Sequence, residues 1–461
     1  MKIYNSLTKQ VEDFKSIEPD AVKMYCCGPT VYNYPQIGNW RTFILADFLY
    51  RTLKMNGYKV DFIMNMTDVG HLYEYEGNPE GGEDKIEQKS SDEGKSAREI
   101  VDMYAKSFLQ EYHEMNLMEP RKFTKATEYI DEQIDLILTL EEKGFTYETS
   151  DGIYFDTSKF ANYGELSGLT VENIKEGARV DPNPEKKNPT DFALWKFSPR
   201  GKKRQQEWQS PWGIGFPGWH LECSSMVLSE LGDTIDIHVG GEDLKMIHHQ
   251  NEIAQSECAT GKKFVNYWVH GAFLTVDGGR MSKSLGNFYT LSDVKQRGFN
   301  PLDLRYFFMT AHYRSPLNFT WEAMQNAQNS LKKIFDIVSN YEYDPRAEVS
   351  EKYVKKFLEK LNEDLNIPEA LAVFWELVKS NISETSKLNT ILKMDEFLGL
   401  KLQEHIGVEI PKNVEDLARM RSEYRKNGIW DKADVLRKQI ESLGYTIEDL
   451  PNENFKIKKK F

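Results

Sequence analysis

The chain has 461 residues, of which 40% are hydrophobic and 28% are charged, and its formal net charge at pH 7 is −13. A chain of this length has room for about three domains and a large buried core. The net negative charge argues against indiscriminate binding to nucleic acid, although it leaves room for a local basic surface. No apolar run approaches the roughly 18 residues that a membrane helix needs, and the first residues lack the apolar core of a signal peptide, so we expect a cytoplasmic protein without a membrane segment.

The first predicted unit is a strand, a helix and a second strand. Two short apolar runs, AVKMYCCG at 21–28 and YKVDFIMNM at 58–66, are typical of strands in a covered sheet. Between them, apolar residues recur at steps of three and four and stop at Gly57, which predicts an amphipathic helix. Ligands of such units bind where the strand ends and the helix begins. We therefore expect a nucleotide at this turn, where Gly38 would permit a close approach of the backbone.

Two of the four cysteines, Cys26 and Cys27, are adjacent at the end of the first predicted strand. In a reducing compartment, clustered cysteines favour metal binding or catalysis over a disulfide framework. Successive residues of a strand face opposite sides, so only one of this pair can face the ligand.

Two later segments predict helices that carry metal-binding side chains, GFPGWHLECSSMVLSELG at 215–232 and KMIHHQNEIAQSECATG at 245–261. His248 and Glu252 are four residues apart and so project from one helix face. Together with Cys27 and Cys223 they form a set of thiolate, imidazole and carboxylate donors that suits zinc. The alternative is that Cys223 is a core residue, that His248 or its neighbour is a buried hydrogen-bonded histidine, and that Glu252 is a solvated acid.

The segment VDGGRMSKSLGNF at 276–288 places a dense run of Arg, Ser, Lys and Ser between glycines. Lys283 and the hydroxyls of Ser282 and Ser284 are suited to contact triphosphate oxygens. The alternative is an exposed basic loop. Further along, the apolar period is helical, which predicts a bundle over residues 320–400, and LQEHIGVEIPKN at 402–413 is a candidate linker.

Taken together, these segments resemble class I aminoacyl-tRNA synthetases, and among them the cysteinyl-tRNA synthetase family. RMSKS at 280–284 is similar to the K-M-S-K-S loop of that class, and PTVYNYPQIGN at 29–39 stands in the place of its H-I-G-H signature. The marks specific to the cysteine family run in the family's order: YCCGPTVYN, NMTDVGH, DFALWK, SPWGIGFPGWHLECSSM, DIHVGGEDL, HHQNEIAQSE and YWVHGAFLTVDGG.

The resemblance implies an α/β fold with a Rossmann-type catalytic core and an insertion, followed by an all-α helical bundle and a small C-terminal anticodon-binding domain. The implied ranges are 1–120 and 201–315 for the two halves of the catalytic domain, 121–200 for the insertion, 316–402 for the bundle and 403–461 for the anticodon-binding domain.

The resemblance also implies roles for particular residues. The implied zinc ligands are Cys27, Cys223, His248 and Glu252. The implied catalytic residues of the two signatures are Gln36, Asn39 and Lys283. The implied ATP contacts are Gly38, Gly240, Gly241, Asp243, Arg280, Ser282, Lys283 and Ser284. The implied contacts to the amino acid are Thr67 and Trp219, and those to the tRNA anticodon are Arg425, Trp430 and Asp434.

The expected activity is ATP-dependent ligation of L-cysteine to tRNA(Cys) through a cysteinyl-adenylate, by a monomer that uses Mg²⁺ with ATP and one Zn²⁺ to select the substrate thiol. The signature departs from the family pattern, since it reads QIGN and lacks both histidines, and Arg280 replaces a lysine. An amide can donate a hydrogen bond to phosphate but cannot carry the charge of an imidazolium. Two alternatives follow: a related ligase that transfers activated cysteine to a small amine, and a catalytically silent RNA-binding relative.

Overall fold

The computed structural model describes residues 1–69, 84–168, 184–199, 201, 204–281, 286–407, 410–449 and 455–459. The chain begins with an antiparallel hairpin and then enters the predicted strand–helix–strand unit. The elements of this section are β1 (Lys2–Asn5), β2 (Gln10–Asp13), β3 (Ala21–Cys26), α1 (Ile37–Met55), β4 (Lys59–Met66), α2 (Lys85–Glu93), α3 (Ala97–Glu114) and β5 (Lys122–Lys125). Strands β3 and β4 pair in parallel, so the predicted βαβ unit is confirmed.

A second, antiparallel sheet follows, in the order β6-β7-β8-β9. Helix α4 (Ile130–Glu142) precedes this sheet. Its strands are β6 (Thr146–Thr149), β7 (Gly152–Phe155), β8 (Phe192–Phe197) and β9 (Gly215–Pro217). Three strands of this sheet lie within residues 121–200, the range predicted for an insertion, and its last strand, β9, lies beyond that range.

The chain then returns to the first sheet. The elements are α5 (Trp219–Leu231), β10 (Ile235–Gly241), α6 (Glu242–Lys245), α7 (His248–Thr260), β11 (Val265–Gly271), β12 (Leu274–Val276) and β13 (Gly279–Arg280). The central sheet is wholly parallel and has the order β11-β10-β3-β4-β5. The order reverses between β3 and β10, and ligands of open parallel sheets bind at the carboxyl ends of the strands at such a switch point.

Helices dominate the remainder of the described chain. They are α8 (Leu291–Gln296), α9 (Pro301–Met309), α10 (Trp321–Asn340), α11 (Glu351–Leu361), α12 (Ile367–Lys379), α13 (Glu384–Leu398), α14 (Lys412–Lys426) and α15 (Trp430–Ser442), with β14 (Leu317–Phe319) before α10 and the hairpin of β15 (Tyr445–Asp449) and β16 (Phe455–Lys459) at the end. The start of the predicted linker is packed, because the ring of His405 stacks on Phe335 with centroids 3.7 Å apart. None of the described helices is long and apolar enough to cross a membrane.

Helix α1 is fixed to the bundle by a buried charge cluster. Oδ2 of Asp47 accepts hydrogen bonds from Arg51 Nε at 2.8 Å and from Arg305 Nη2 at 2.5 Å. The same guanidinium groups donate to carbonyls of the last turn of α13, at Glu396 and Leu398. The end of a helix leaves carbonyls without a partner and carries partial negative charge, so the two arginines stabilise it. The bundle thereby sets the position of α1, whose first residues form the signature turn.

Candidate active site and metal centre

Cys27 follows β3 directly, and its amide donates to the carbonyl of Val239 on β10 at 3.2 Å. The side chain of Cys26 belongs to the core that packs on α1, whereas that of Cys27 lies on the other side of the sheet beside Cys223. The prediction that only one of the adjacent pair faces the candidate site is confirmed.

The structure brings together the four side chains that the sequence nominates for zinc. Their candidate ligand atoms all lie within 4.8 Å of one another, and all four residues are buried. Cys27 Sγ lies 4.0 Å from Cys223 Sγ and 3.9 Å from Glu252 Oε1. Nε2 of His248 lies 3.0 Å from the same Glu252 oxygen, as expected for residues one helical turn apart.

These donors suit a tetrahedral zinc site. Two sulfur atoms bound to zinc at about 2.3 Å in a tetrahedron lie about 3.8 Å apart, close to the separation of the two thiols here. Packing alone does not explain why two thiols, an imidazole and a carboxylate from three separate segments meet in an apolar core. Unpaired charge is costly in such a core. The chemistry of the set therefore fits a resident metal ion.

Other buried histidines hold the ligand side chains in place. His238 Nε2 lies 2.9 Å from the second oxygen of Glu252, and His220 Nδ1 lies 3.0 Å from His248 Nδ1. His249 Nε2 lies 3.4 Å from Cys27 Sγ, and its other nitrogen lies 2.8 Å from His270 Nε2.

A second grouping of four shares Cys27 and Glu252 with the first and adds His238 and His249. Sequence reasoning missed the roles of these histidines, although their crowding between residues 220 and 270 was visible. Metal ligands are usually oriented by hydrogen bonds from neighbouring groups, and these contacts have that arrangement.

The charges of the cluster are strongly coupled. The hydrogen bond from Cys27, together with the nearby His248, lowers the pKa of Cys223 to about 6, despite burial. Burial alone would lower the pKa of His248, but the negative charges of Cys223 and Glu252 outweigh it and raise the pKa to about 10. Burial would raise the pKa of Glu252, but His238 and His248 bring it to about 2. Cys223 and Glu252 are therefore favoured as anions in this buried setting, whereas burial and the hydrogen bond to Cys223 raise the pKa of Cys27 well above its usual range.

The signature turn lies at the start of α1, next to β3. Asn39 Oδ1 accepts a hydrogen bond from the amide of Gln36 at 3.0 Å, so Asn39 caps the helix and holds the turn. The amide of Ile37 donates to the carbonyl of Tyr289 at 2.9 Å. A Cβ on Gly38 would lie 3.3 Å from Cε of Met281, the second residue of RMSKS. The QIGN turn is therefore in contact with both flanks of the second signature.

The second signature is described only in part. Arg280 is exposed at the end of β13, and its carbonyl accepts from Asn287 Nδ2 at 3.1 Å. Ser282, Lys283 and Ser284, for which the sequence predicts ATP contacts, lie outside the described residues.

Thr67 and Trp219, the predicted contacts to the amino acid, lie near the metal cluster. Trp219 is half-buried, and its ring centroid lies 4.4 Å from that of His248. Thr67 Oγ1 accepts from Asn65 Nδ2 at 3.0 Å, and Asn65 Oδ1 accepts from the amide of Gly28 at 2.8 Å. A Cβ on Gly28 would lie 1.8 Å from the Asn65 carbonyl, so the approach of β4 requires glycine there. Asn65 is the first residue of the quoted NMTDVGH, but sequence reasoning gave it no role, because a side-chain contact to the amide of Gly28 leaves no pattern in the sequence.

Gly240 and Gly241, predicted to line the adenosine site, end strand β10 at the switch point. A Cβ on Gly240 would lie 2.3 Å from Cε1 of His249, whereas one on Gly241 would meet Oδ1 of Asp243 at 2.2 Å. Asp243 is exposed on α6. A side chain at residue 240 would therefore clash with His249, so this position needs glycine whether or not a nucleotide binds there.

The predicted anticodon residues lie on the C-terminal helices. The ring of Trp430 is 58% exposed, and the guanidinium carbon of Arg425 lies 5.4 Å from its centroid. Arg425 also pairs with Asp449 at 2.9 Å. Asp434 is exposed one turn after the tryptophan on α15.

Comparison with known proteins agrees with this geometry. The family model described as "tRNA synthetases class I (C) catalytic domain" matches residues 13–329. The chain belongs to the cysteinyl-tRNA synthetase family. A cysteine–tRNA ligase 1 of Burkholderia lata is 43% identical over 454 residues, which cover 98% of this chain and 95% of that protein. A cysteine–tRNA ligase of Treponema denticola is 39% identical, with 97% and 98% of the two chains covered. The predicted family is therefore confirmed.

The fold comparison extends to a more distant synthetase. Methionyl-tRNA synthetase of Mycobacterium tuberculosis, in a structure with methionyl-adenylate, superposes with a TM-score of 0.57 at 14% identity. The superposition covers 84% of this chain and 91% of the other. At that identity the likeness concerns the fold alone, and it confirms the predicted class I synthetase architecture of this member of the cysteinyl-tRNA synthetase family.

Proposed function

We propose that the protein ligates L-cysteine to tRNA(Cys) in two steps, through a cysteinyl-adenylate. The observation that carries the proposal is the buried cluster of Cys27, Cys223, His248 and Glu252, which lies at the carboxyl end of β3 next to the signature turn. The names of the curated relatives, which match nearly the full length of the chain, support the same activity.

In the first step, a carboxylate oxygen of cysteine attacks the α-phosphorus of ATP. The bond from that phosphorus to the bridging oxygen breaks, and pyrophosphate leaves with Mg²⁺ as its counterion. Such a displacement depends on positioning and on neutralisation of spreading negative charge. Lys283 and Arg280 would supply positive charge on one side, and the side-chain amide of Gln36, just before α1, would donate to phosphate from the other side.

In the second step, a hydroxyl of the terminal ribose of the tRNA attacks the carbonyl carbon of the adenylate. The ester bond forms, AMP leaves, and the hydroxyl proton passes to solvent or to the departing phosphate. The chain's contribution is to hold the adenylate in place and to keep bulk water away from it. Burial of Thr67 and the half-buried ring of Trp219 support an amino-acid pocket that is closed on one side.

Selection of cysteine would come from the metal cluster. Zinc held by the four side chains would supply a soft Lewis acid that prefers a thiolate to a hydroxyl at neutral pH. Trp219 would orient His248 by ring contact, and His238 would hold Glu252 through its second oxygen. A pocket built to bind one group of its substrate can favour that substrate by about 10⁴ or more over an analogue that lacks the group. Serine lacks the thiol and would therefore be rejected without a separate editing step.

Recognition of the tRNA would use the C-terminal helices. Unpaired bases stack on exposed aromatic rings and are read by donors and acceptors at their edges. Trp430 would supply the stacking plane, Arg425 the donors and Asp434 an acceptor. The exposure of Trp430 and Asp434, and the closeness of the half-buried Arg425 to the ring of Trp430, support this assignment.

The proposal is tested by measuring cysteine-dependent exchange of pyrophosphate into ATP, followed by charging of tRNA(Cys). Exchange together with charging is the expected result. Exchange without charging would instead support transfer of activated cysteine to a small amine. Absence of both activities in the unaltered protein, with exchange appearing in Gln36→His, would show that the QIGN signature has silenced the enzyme.

A further inference from the structure

Arg41 is a buried arginine in the second turn of α1, five residues after Gln36, and 6% of its surface is exposed. Its guanidinium donates to four backbone carbonyls. Nη1 donates to Ala272 at 2.8 Å and to Phe273 at 2.7 Å, while Nη2 donates to His312 at 3.3 Å and to Ser315 at 2.5 Å. One side chain therefore joins α1 to two segments more than 200 residues away.

These two segments carry the strands that lead to RMSKS. Residues 272 and 273 connect β11 to β12, and residues 312–315 precede β14. Strands β12 and β14 pair in parallel, and β12 pairs with β13, which ends at Arg280. The carbonyls of Ala272 and Phe273 therefore lie at the base of the β12–β13 hairpin, and those of His312 and Ser315 lie just before β14, the strand that pairs with β12. We define this hairpin as residues 274–280.

The start of α1, one turn before Arg41, holds the far side of the second signature. The amide of Ile37 donates to the carbonyl of Tyr289 at 2.9 Å, and Gln36 forms a bridge with Thr290. Arg41 thus fixes the side where the chain enters RMSKS, and the backbone of residues 36–37 fixes the side where it leaves.

The charge of Arg41 is unusual for a buried group. In the part of the chain that the structure describes, no carboxylate pairs with it, and burial lowers its pKa to about 10. It remains charged at neutral pH and is stabilised by carbonyl dipoles alone. Only the planar fork of a guanidinium offers donors in enough directions for four carbonyls; an ammonium group has three donors around a single point.

We propose that Arg41 is a positioning residue for adenylation, which sets the separation between the QIGN turn and the β12–β13 hairpin. The inference rests on the proposed function, because both signatures are assigned there to ATP. A displacement of about 1 Å between groups that act on one substrate can reduce the rate about 100-fold. Loss of the Arg41 contacts would therefore reduce use of ATP rather than binding of cysteine, whose side chain would meet the metal cluster.

The test compares Arg41→Gln and Arg41→Lys with Arg314→Gln in pyrophosphate exchange. Arg314 is the matched control, because it lies in the same 312–315 segment but its Nε donates to Asp364 at 2.7 Å, away from α1. Arg41→Gln should raise the KM for ATP about 10-fold or more and leave the KM for cysteine within about 2-fold. Arg41→Lys should lie between it and the unaltered protein, and Arg314→Gln should leave both constants unchanged.

Hydrogen exchange of the hairpin amides supplies a readout that needs no activity. Residues 274–280 should exchange faster in both Arg41 variants and not in Arg314→Gln. Equal rises of both KM values, an unchanged KM for ATP, or unchanged hairpin exchange would overturn the assignment. Absence of cysteine-dependent exchange in the unaltered protein would contradict the proposed function instead, and hairpin exchange would still decide the role of Arg41.

Discussion

Gly240 lies against the imidazole of His249, so closely that a Cβ on the glycine would stand 2.3 Å from Cε1 and 2.8 Å from Nε2 of the ring. The ring is fully buried and cannot move aside without disturbing Cys27, 3.4 Å from the same Nε2. We predict that Gly240→Ala displaces His249 and lowers zinc content to well below one per chain. Metal analysis of the purified variant measures this.

Gly241→Ala is the matched control for that substitution. The nearest atom to its new methyl group would be the carboxylate oxygen of Asp243, at the end of an exposed side chain that can rotate away. The variant should keep its zinc. Equal loss of zinc from both variants would contradict a specific clash with His249. It would indicate instead that the end of β10 needs glycine at both positions.

Cys27→Ala and Cys26→Ala separate the two adjacent cysteines. Only Cys27 belongs to the candidate metal cluster, while Cys26 lies in the core on the α1 side. Cys27→Ala should lose bound zinc and cysteine-dependent exchange, and Cys26→Ala should keep the metal and lose about 1 kcal/mol of stability through a small cavity. A full complement of zinc in Cys27→Ala would remove that residue from the ligand set.

Trp430→Ala should weaken charging of tRNA without changing cysteine-dependent exchange. Stacking of a base on an aromatic ring is worth about 1–3 kcal/mol, which corresponds to an increase of about 5-fold to 160-fold in the KM for tRNA. Val435→Ala removes an apolar side chain of similar exposure, 56% against 58%, from the same helix and should have little effect. Equal effects of the two substitutions on the KM would indicate a general role of the α15 surface.

We predict that ionisation of the buried Glu111 carboxyl lowers the free energy of unfolding as the pH rises from about 4.5 to 7. Burial, with a smaller effect of Glu114, raises the pKa of Glu111 to about 7 in the folded state. The unfolded chain loses this proton first, at about pH 4.3, so the folded state binds more protons in that window and its free energy of unfolding falls. Glu111→Gln should therefore raise the free energy of unfolding at pH 8 by about 1–3 kcal/mol and change it little at pH 4.

Glu114→Gln is the control of opposite sign for the pH prediction. Burial alone would raise the pKa of Glu114, but the hydrogen bond from Lys295 at 2.6 Å outweighs it and lowers the pKa. Removal of this carboxylate should decrease stability at pH 8, where it is charged and paired. Urea unfolding of both variants at pH 4 and pH 8 measures the difference, and a stabilising Glu114→Gln at pH 8 would contradict the assigned environments.

The four side chains that the sequence nominates for a metal meet in the structure, and the sequence could nominate them because each donor has distinctive chemistry. Thiols are rare in this chain, and the spacing of His248 and Glu252 places both on one face of α7 once that segment is helical. The sequence cannot choose between His248 and His249 by this rule. The second grouping, through His238 and His249, arises because β10 passes beside α7, which only the folded sheet reveals.

The contacts that hold the two signatures together could not be predicted from the sequence. Arg41 donates to backbone carbonyls and Asn65 accepts from a backbone amide of distant segments, and neither backbone group leaves a mark in the residues that carry it. Gly240 is predicted to contact ATP, but a close approach of His249 requires a glycine there in any case, just as the approach of β4 requires Gly28. Local sequence patterns identify the side chains that can bind a metal or a phosphate. The contacts that position those side chains depend on the order of strands in the sheet.

The most direct test of the central claim is a titration of the cobalt-substituted protein with cysteine and, separately, with serine. If the cluster of Cys27, Cys223, His248 and Glu252 selects the substrate by its sulfur, cysteine adds a sulfur-to-metal absorption band that saturates, and serine adds none. An unchanged spectrum at cysteine concentrations that saturate pyrophosphate exchange would contradict selection of cysteine by the metal.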